Sequence, residues 1–251
     1  MRYSACIEWL FATEEPDVVN RIHAAKAAGL DAVEFWRFSN KDCVAIRQAL
    51  DETGLTLGGI LCEPIAPLAN PESHQWFLEG VRTSLAAALQ LGAKVMIAQA
   101  GDFQPGVARA AQHAAIVKVL KEAAKIIEGS GVILALEPLN DRVDHPGYYL
   151  TSTEEGLDIV DEVGRPEIKL LYDIYHAAVM GEEIEVLKGR LDRVIHVHLA
   201  DTPGRGEPGS GRMDYADRLE WLEKQGYDGL IGLEYKPSKP TVETLQFRET
   251  V

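Results

Sequence analysis

The sequence predicts an α/β protein, a single (β/α)8 TIM barrel over residues 1–251, and three observations lead there. Short, β-rich apolar runs alternate with longer segments of helical periodicity, the pattern of a parallel sheet built from βα units. Eight such runs occur, each followed by a helix or a tail, which suits one closed barrel better than an open sheet. The length of 251 residues matches one barrel, and no Ser/Gly/Pro linker divides the chain into halves.

The first strand is YSACI (3–7), and the helical stretch EEPDVVNRIHAAKAAG after it stops at Gly29. DAVEFW (31–36) is the second strand, followed by KDCVAIRQALDETG with Gly54 as its C′ residue. LTLGGIL (55–61) is the third. A proline-rich loop then leads into a long helix whose clearest part is LEGVRTSLAAALQLG. VMIAQAG (95–101) is the fourth strand, and AAQHAAIVKVLKEAAKIIEGSG supplies its helix. VILALEPL (132–139) is the fifth, with the long connection NDRVDHPGYYLTS behind it; Ser/Thr followed by acids announces the helix TEEGLDIVDEVG. IKLLYDIYH (168–176), VIHVHLAD (194–201) and LIGLEYK (230–236) complete the eight.

Hydrophobic residues make up 46% of the chain and charged residues 25%, ordinary for a soluble domain. The formal charge of −14, with no Lys/Arg cluster, excludes the basic face that nucleic acid or an anionic membrane would require. It leaves a small-molecule pocket open, because a local cation can reverse the field there. The start MRYSACIEWLF makes a poor signal peptide, and no run of 18 apolar residues is present to span a membrane. Cys6, Cys43 and Cys62 are odd in number and unpaired in spacing, which predicts reduced, structural thiols and a cytoplasmic location. A homo-oligomer is compatible with this sequence, which does not specify one.

Polar residues interrupt the last four strands at corresponding points. Glu137 lies in LALEPLN, Asp173 in LLYDIYH, His198 in IHVHLAD and Glu234 in GLEYKP, at intervals of 36, 25 and 36 residues. Active sites of such barrels form at the C-terminal strand ends. Three acids converging there would be desolvated and mutually repelled without a cation. The pattern therefore predicts a divalent metal ion held by Glu137, Asp173, His198 and Glu234. Three oxygen ligands and one imidazole suit Mn2+, Mg2+ or Co2+, and the nitrogen tilts the choice away from Mg2+.

The strings LEPLNDRVDHPGYYL, KLLYDIYH, IHVHLADTPGRGEPGSG and GLEYKP resemble the signature stretches of the hydroxypyruvate isomerase family, most strongly over 133–237. That family belongs to the xylose-isomerase-like barrels and has the D-tagatose 3-epimerases as relatives. The resemblance implies a metal at the four positions above and proton transfer by Glu137 and Glu234. It also implies substrate binding by His176 and by Arg205, in the loop after the seventh strand. In some family members the third ligand position is glutamine; here it is His198, as in the sugar epimerases.

The chemistry this implies is removal of a weakly acidic proton beside a carbonyl, with the metal stabilising an enediolate and the two glutamates moving the proton. The expected substrate is a small sugar or hydroxy-keto acid, with hydroxypyruvate and 2-hydroxy-3-oxopropanoate as the preferred pair. A 2-oxotetronate isomerase or a ketose 3-epimerase is the alternative. A guanidinium pairs with a carboxylate through two parallel hydrogen bonds, which makes Arg205 the expected carboxylate clamp. GRGEPGSG lacks phosphate-loop spacing and reads as a mobile flap with freedom at Gly204, Gly206, Gly209 and Gly211; Glu207 would orient Arg205 or close the site. Glu8 and Glu34 are expected as structural acceptors. His196 is expected on the face of its strand opposite His198, buried and hydrogen-bonded. Trp9, Phe11 and Trp36 suit either the pocket wall or the core, and Gln99 would support a ligand from behind. A DNA endonuclease with a multi-metal cluster would need more than the seven histidines present, and a non-catalytic sugar-binding barrel is the remaining alternative.

Overall fold

Strand and helix alternate through residues 1–249, the part of the chain that the computed structural model describes. The strands are β1 (Arg2–Cys6), β2 (Ala32–Glu34), β3 (Thr56–Leu57), β4 (Ile60–Leu61), β5 (Val95–Gln99), β6 (Ile133–Glu137), β7 (Ile168–Asp173), β8 (Val194–Leu199) and β9 (Leu230–Leu233). All neighbouring pairs are parallel, in the order β3-β2-β1-β9-β8-β7-β6-β5-β4. β3 and β4 are two halves of the third barrel strand, broken at Gly58 and Gly59. Gly58 N–H donates to Val33 O (2.8 Å), and Leu61 N–H donates to Trp36 O (2.8 Å). Cys62 N–H donates to Ile97 O (2.8 Å), so the ring of eight positions closes as the sequence predicts.

The outer helices are α1 (Val18–Ala27), α2 (Cys43–Thr53), α3 (His74–Leu91), α4 (Arg109–Ile127), α5 (Thr153–Val163), α6 (Ile174–Met180), α7 (Tyr215–Lys224) and α8 (Thr241–Thr244). Their ends follow local chemistry. Asp42 Oδ1 accepts from the N–H groups of Val44 and Ala45, and Gly54 closes α2 at φ 68°. Ser152 Oγ accepts from Glu155 N–H at the start of α5. The sixth strand is shorter than its apolar run: β7 ends at Asp173 and the next residues turn into α6, which places His176 on a helix.

The main core lies between the strands and the helices. A second, smaller cluster of Leu61, Val95, Ile97, Ala135 and Leu171 fills part of the barrel interior, with Trp36 and Ile195 packed against it. Ile97 pairs with Ala135, and Gln99 with Glu137, in one register. Side chains two residues apart on a strand share a face, so Glu137 stands directly above Ala135 and Asp173 above Leu171. Among the described residues, no helix is long and apolar enough to cross a membrane.

Candidate metal centre

Glu137, Asp173, His198 and Glu234 converge at one end of the barrel. Each offers a ligand atom, all four atoms lie within 4.8 Å of one another, and all four residues are buried. His198 Nδ1 is the hub: it lies 3.4 Å from Glu137 Oε1, 3.5 Å from Glu234 Oε2 and 3.8 Å from Asp173 Oδ2. It is buried without a hydrogen-bond partner among the described residues. A buried nitrogen facing three carboxylates is the donor set that a divalent cation completes, so the residues fit a metal ion.

Each donor is delivered differently. Glu137 is the last residue of β6, and among the described residues its carboxylate has one ion-pair partner, His198. Asp173 ends β7 and caps α6: Oδ1 accepts from His176 N–H (2.9 Å), which leaves Oδ2 turned to the cluster. Glu234 follows β9 and accepts from Trp36 Nε1 (2.6 Å) and from Arg205 Nη2.

His198 depends on a residue whose part the sequence did not show. Glu34, on β2, lies 3.0 Å from His198 Nε2 through one oxygen and 3.0 Å from His196 Nε2 through the other. A carboxylate on the outer nitrogen fixes the ring and directs Nδ1 inward, as second carboxylates behind metal-bound histidines do. Burial alone would raise the Glu34 carboxyl, but the two imidazoles hold it well below the usual carboxylate range. His196 therefore faces the same side as His198, against expectation. Residues i and i+2 share a strand face. The register also slips between Leu170 and Leu171, pairing Leu170 with Val194 but Leu171 with His196 and leaving Ile195 as the extra residue. Buried and bonded to Glu34, His196 has the character predicted for it, on the other face. Room for Glu34 comes from Gly232: a Cβ there would collide with Glu34 Oε1 and with the His198 ring.

The other predicted residues line a cavity of about 330 Å3 above the cluster. His176 Nδ1 accepts from Asn140 N–H (3.0 Å), which puts the ring proton on Nε2. Burial first, and then the Arg205 charge, lowers its pKa to about 3, so the ring is neutral. Nε2–H is buried beside the cavity and has no hydrogen-bond partner among the described residues. Arg205 has φ 55° and its guanidinium packs over Trp9 and Tyr175. Trp9 and Trp36 line the cavity in a T-shaped pair (5.0 Å, 84°), as does Gln99, whereas Phe11 is in the core. Glu8 is a structural acceptor, taking Lys41 Nζ and Trp36 N–H.

The loop carrying Arg205 is tied down, in contrast to the mobile flap predicted from its glycines. Asp201, 1% exposed, accepts four backbone N–H groups: Thr202 (2.7 Å), Gly209 (2.8 Å), Gly211 (3.0 Å) and Met213 (3.1 Å). Glu207 turns away from Arg205 and accepts from Ser238 N–H (3.1 Å) and its hydroxyl. The three cysteines are free, Cys6 and Cys62 buried and Cys43 half-buried.

Residues 22–250 match the model of the xylose isomerase-like TIM barrel family. The hydroxypyruvate isomerase of Escherichia coli is 31% identical over 99% of this chain and 98% of its own length. The 2-oxo-tetronate isomerase of Cupriavidus necator is 30% identical over 96% and 94%. The chain belongs to the hydroxypyruvate isomerase family. This places it among isomerases, within the xylose isomerase-like barrels. A solved structure from Brucella melitensis, described as an AP endonuclease of family 2, superposes with a TM-score of 0.92 at 28% identity, covering 99% of this chain and 98% of that one.

Proposed function

We propose that this protein is a metal-dependent isomerase that interconverts a small hydroxy-keto acid and its aldehyde isomer, of the hydroxypyruvate to 2-hydroxy-3-oxopropanoate type. The observation that carries the reading is the buried, unpartnered His198 Nδ1 facing Glu137, Asp173 and Glu234. Asp173 and His198 serve as anchors for a divalent ion, Mn2+, Co2+ or Mg2+; Glu137 and Glu234 hold it and move protons as well. The ion supplies Lewis acidity at the substrate's carbonyl oxygen, where negative charge develops as the enediolate forms.

The chain's own groups account for the proton traffic. One glutamate removes the proton from the hydroxyl-bearing carbon and a glutamate returns it to the former carbonyl carbon, while the hydroxyl proton passes from the oxygen that becomes the aldehyde to the former carbonyl oxygen. Glu234 is held by Trp36 and Arg205 and so has a fixed orientation, whereas among the described residues no hydrogen-bond donor holds the Glu137 carboxylate. His176 offers its Nε2–H to a substrate oxygen, and Arg205 offers its buried, unpartnered Nε–H from the other side. The aromatic wall of Trp9 and Trp36 keeps water from the reacting carbons. The relatives named isomerases support this over the endonuclease description, and a charge of −14 suits no DNA backbone.

Proton NMR of the Mn2+-loaded enzyme with hydroxypyruvate in D2O tests the reading. Aldehyde formation with solvent deuterium on the substrate is expected. Deuterium at C3 of a ketose, with no aldehyde and no turnover of the acid, would assign it as a 3-epimerase, the reading that His198 favours.

A further inference from the structure

The reading above assigns no partner to the substrate's carboxylate, and Arg205 is poorly placed to be one. Its Nη2 donates to Glu234, and Asp173 and Asp144 lie 3.9 and 4.0 Å from its fork. A fourth carboxylate there would meet a charge already balanced by three. Lys236 and Arg37 line the same cavity and are different. Among the described residues, neither side chain has a carboxylate within salt-bridge distance, and the only contact of the Lys236 ammonium is with the Trp9 ring, at 5.4 Å. Among the described residues, they are the Lys and Arg side chains lining that cavity that carry no carboxylate, so an anion entering from outside meets them first.

Lys236 is also positioned. It stands two residues beyond Glu234, and its N–H donates to Arg205 O (2.8 Å), which ties its backbone to the loop that Asp201 organises. Arg205 and Lys236 both pack against Trp9, Arg205 turned toward the acidic cluster and Lys236 exposed. We infer that Lys236, assisted by Arg37, forms the carboxylate subsite that selects an acid over a neutral sugar, and that Arg205 serves the reacting end. The inference rests on the substrate class proposed above.

The test uses full-length, Mn2+-loaded enzyme and the variants Lys236→Gln, Lys236→Arg, Arg37→Gln and, as a remote charge control on α4, Lys118→Gln. KM and kcat are measured on hydroxypyruvate. Binding of tartronate, an unreactive hydroxy-diacid, is measured by calorimetry. Lys236→Gln is expected to raise KM and weaken tartronate about tenfold, with the loss falling on KM rather than kcat and with a shallower salt dependence. Arg37→Gln should show about a threefold effect, as the assisting charge of the pair. Lys236→Arg should restore most of the binding, and Lys118→Gln should match the parent. If the parent converts the acid and both Lys236→Gln and Arg37→Gln keep its KM and tartronate affinity, the subsite is wrong while the isomerase reading stands. If the parent neither binds tartronate nor converts the acid, both fall.

Discussion

Below the ligand rim, the barrel interior has an apolar side formed by Leu61, Val95, Ile97, Ala135 and Leu171, and a polar side formed by Ser4, Glu34, His196 and the outer nitrogen of His198. Glu137 and Asp173 rise from the apolar side. Their carboxylates are set by the strands beneath them and, for Asp173, by the cap of α6. His198 and Glu234 stand on the polar side and are set by other side chains, Glu34 for one and Trp36 with Arg205 for the other. Candidate ligands set by the backbone depend on packing, and those set by other side chains depend on particular side-chain contacts. Substitutions on the two sides should therefore fail in different ways.

The largest loss belongs to the rim. Glu137→Gln should lower kcat by about 100- to 10,000-fold, the usual contribution of a positioned proton-transfer group, while the melting temperature changes little. Near-parental turnover would remove Glu137 from the mechanism. Beneath it, Leu171→Ala should cost about 2–5 kcal/mol of stability by opening a cavity, read from denaturant unfolding of the metal-free protein. Its Mn2+ affinity at 25 °C should stay close to that of the parent, since no ligand loses a hydrogen bond. A Leu171→Ala variant that lost metal binding in proportion to stability would erase the distinction between the two sides.

On the polar side the expected order reverses. Glu34→Gln should weaken Mn2+ binding by about 10- to 100-fold in competition with a chelating dye, the usual cost of removing a carboxylate behind a metal-bound histidine. Unchanged affinity would reduce Glu34 to a filler of polar space. The smallest effect is expected for Trp36→Phe, which removes one donor from Glu234 while Arg205 keeps the other. A drop in kcat/KM of about tenfold corresponds to one lost hydrogen bond to a charged group. The loss should vanish in a background that already carries Glu234→Gln.

The four rim residues were legible because each interrupts an apolar strand at the same height, a local pattern that the parallel barrel converts into convergence. His176 was legible only by resemblance: KLLYDIYH reads as one β run, and the turn into α6 comes from Asp173 capping His176 N–H. Glu34 carried no comparable signal. It is 162 residues from His196, and an acid in DAVEFW gives no sign of what the closed barrel will place beside it. The hydrogen bonding that ties the Arg205 loop to Asp201 was hidden too. Its glycines suggest freedom, but one of them, Gly211, is there because a Cβ would collide with Asp201 and Thr202 O.

By itself, the sequence determined the barrel, its strand order and the four donors at the rim, because strand periodicity and βα spacing are short-range properties of the chain. Ring closure decided the rest. It brought β2 within reach of β8, so that Glu34 meets both His198 and His196. It also placed Glu234, Asp173 and Asp144 around Arg205, leaving Lys236 and Arg37 without acidic partners among the described residues. These contacts join residues far apart in the chain, and their distances are set by how the strands stagger around the ring, which no local pattern encodes.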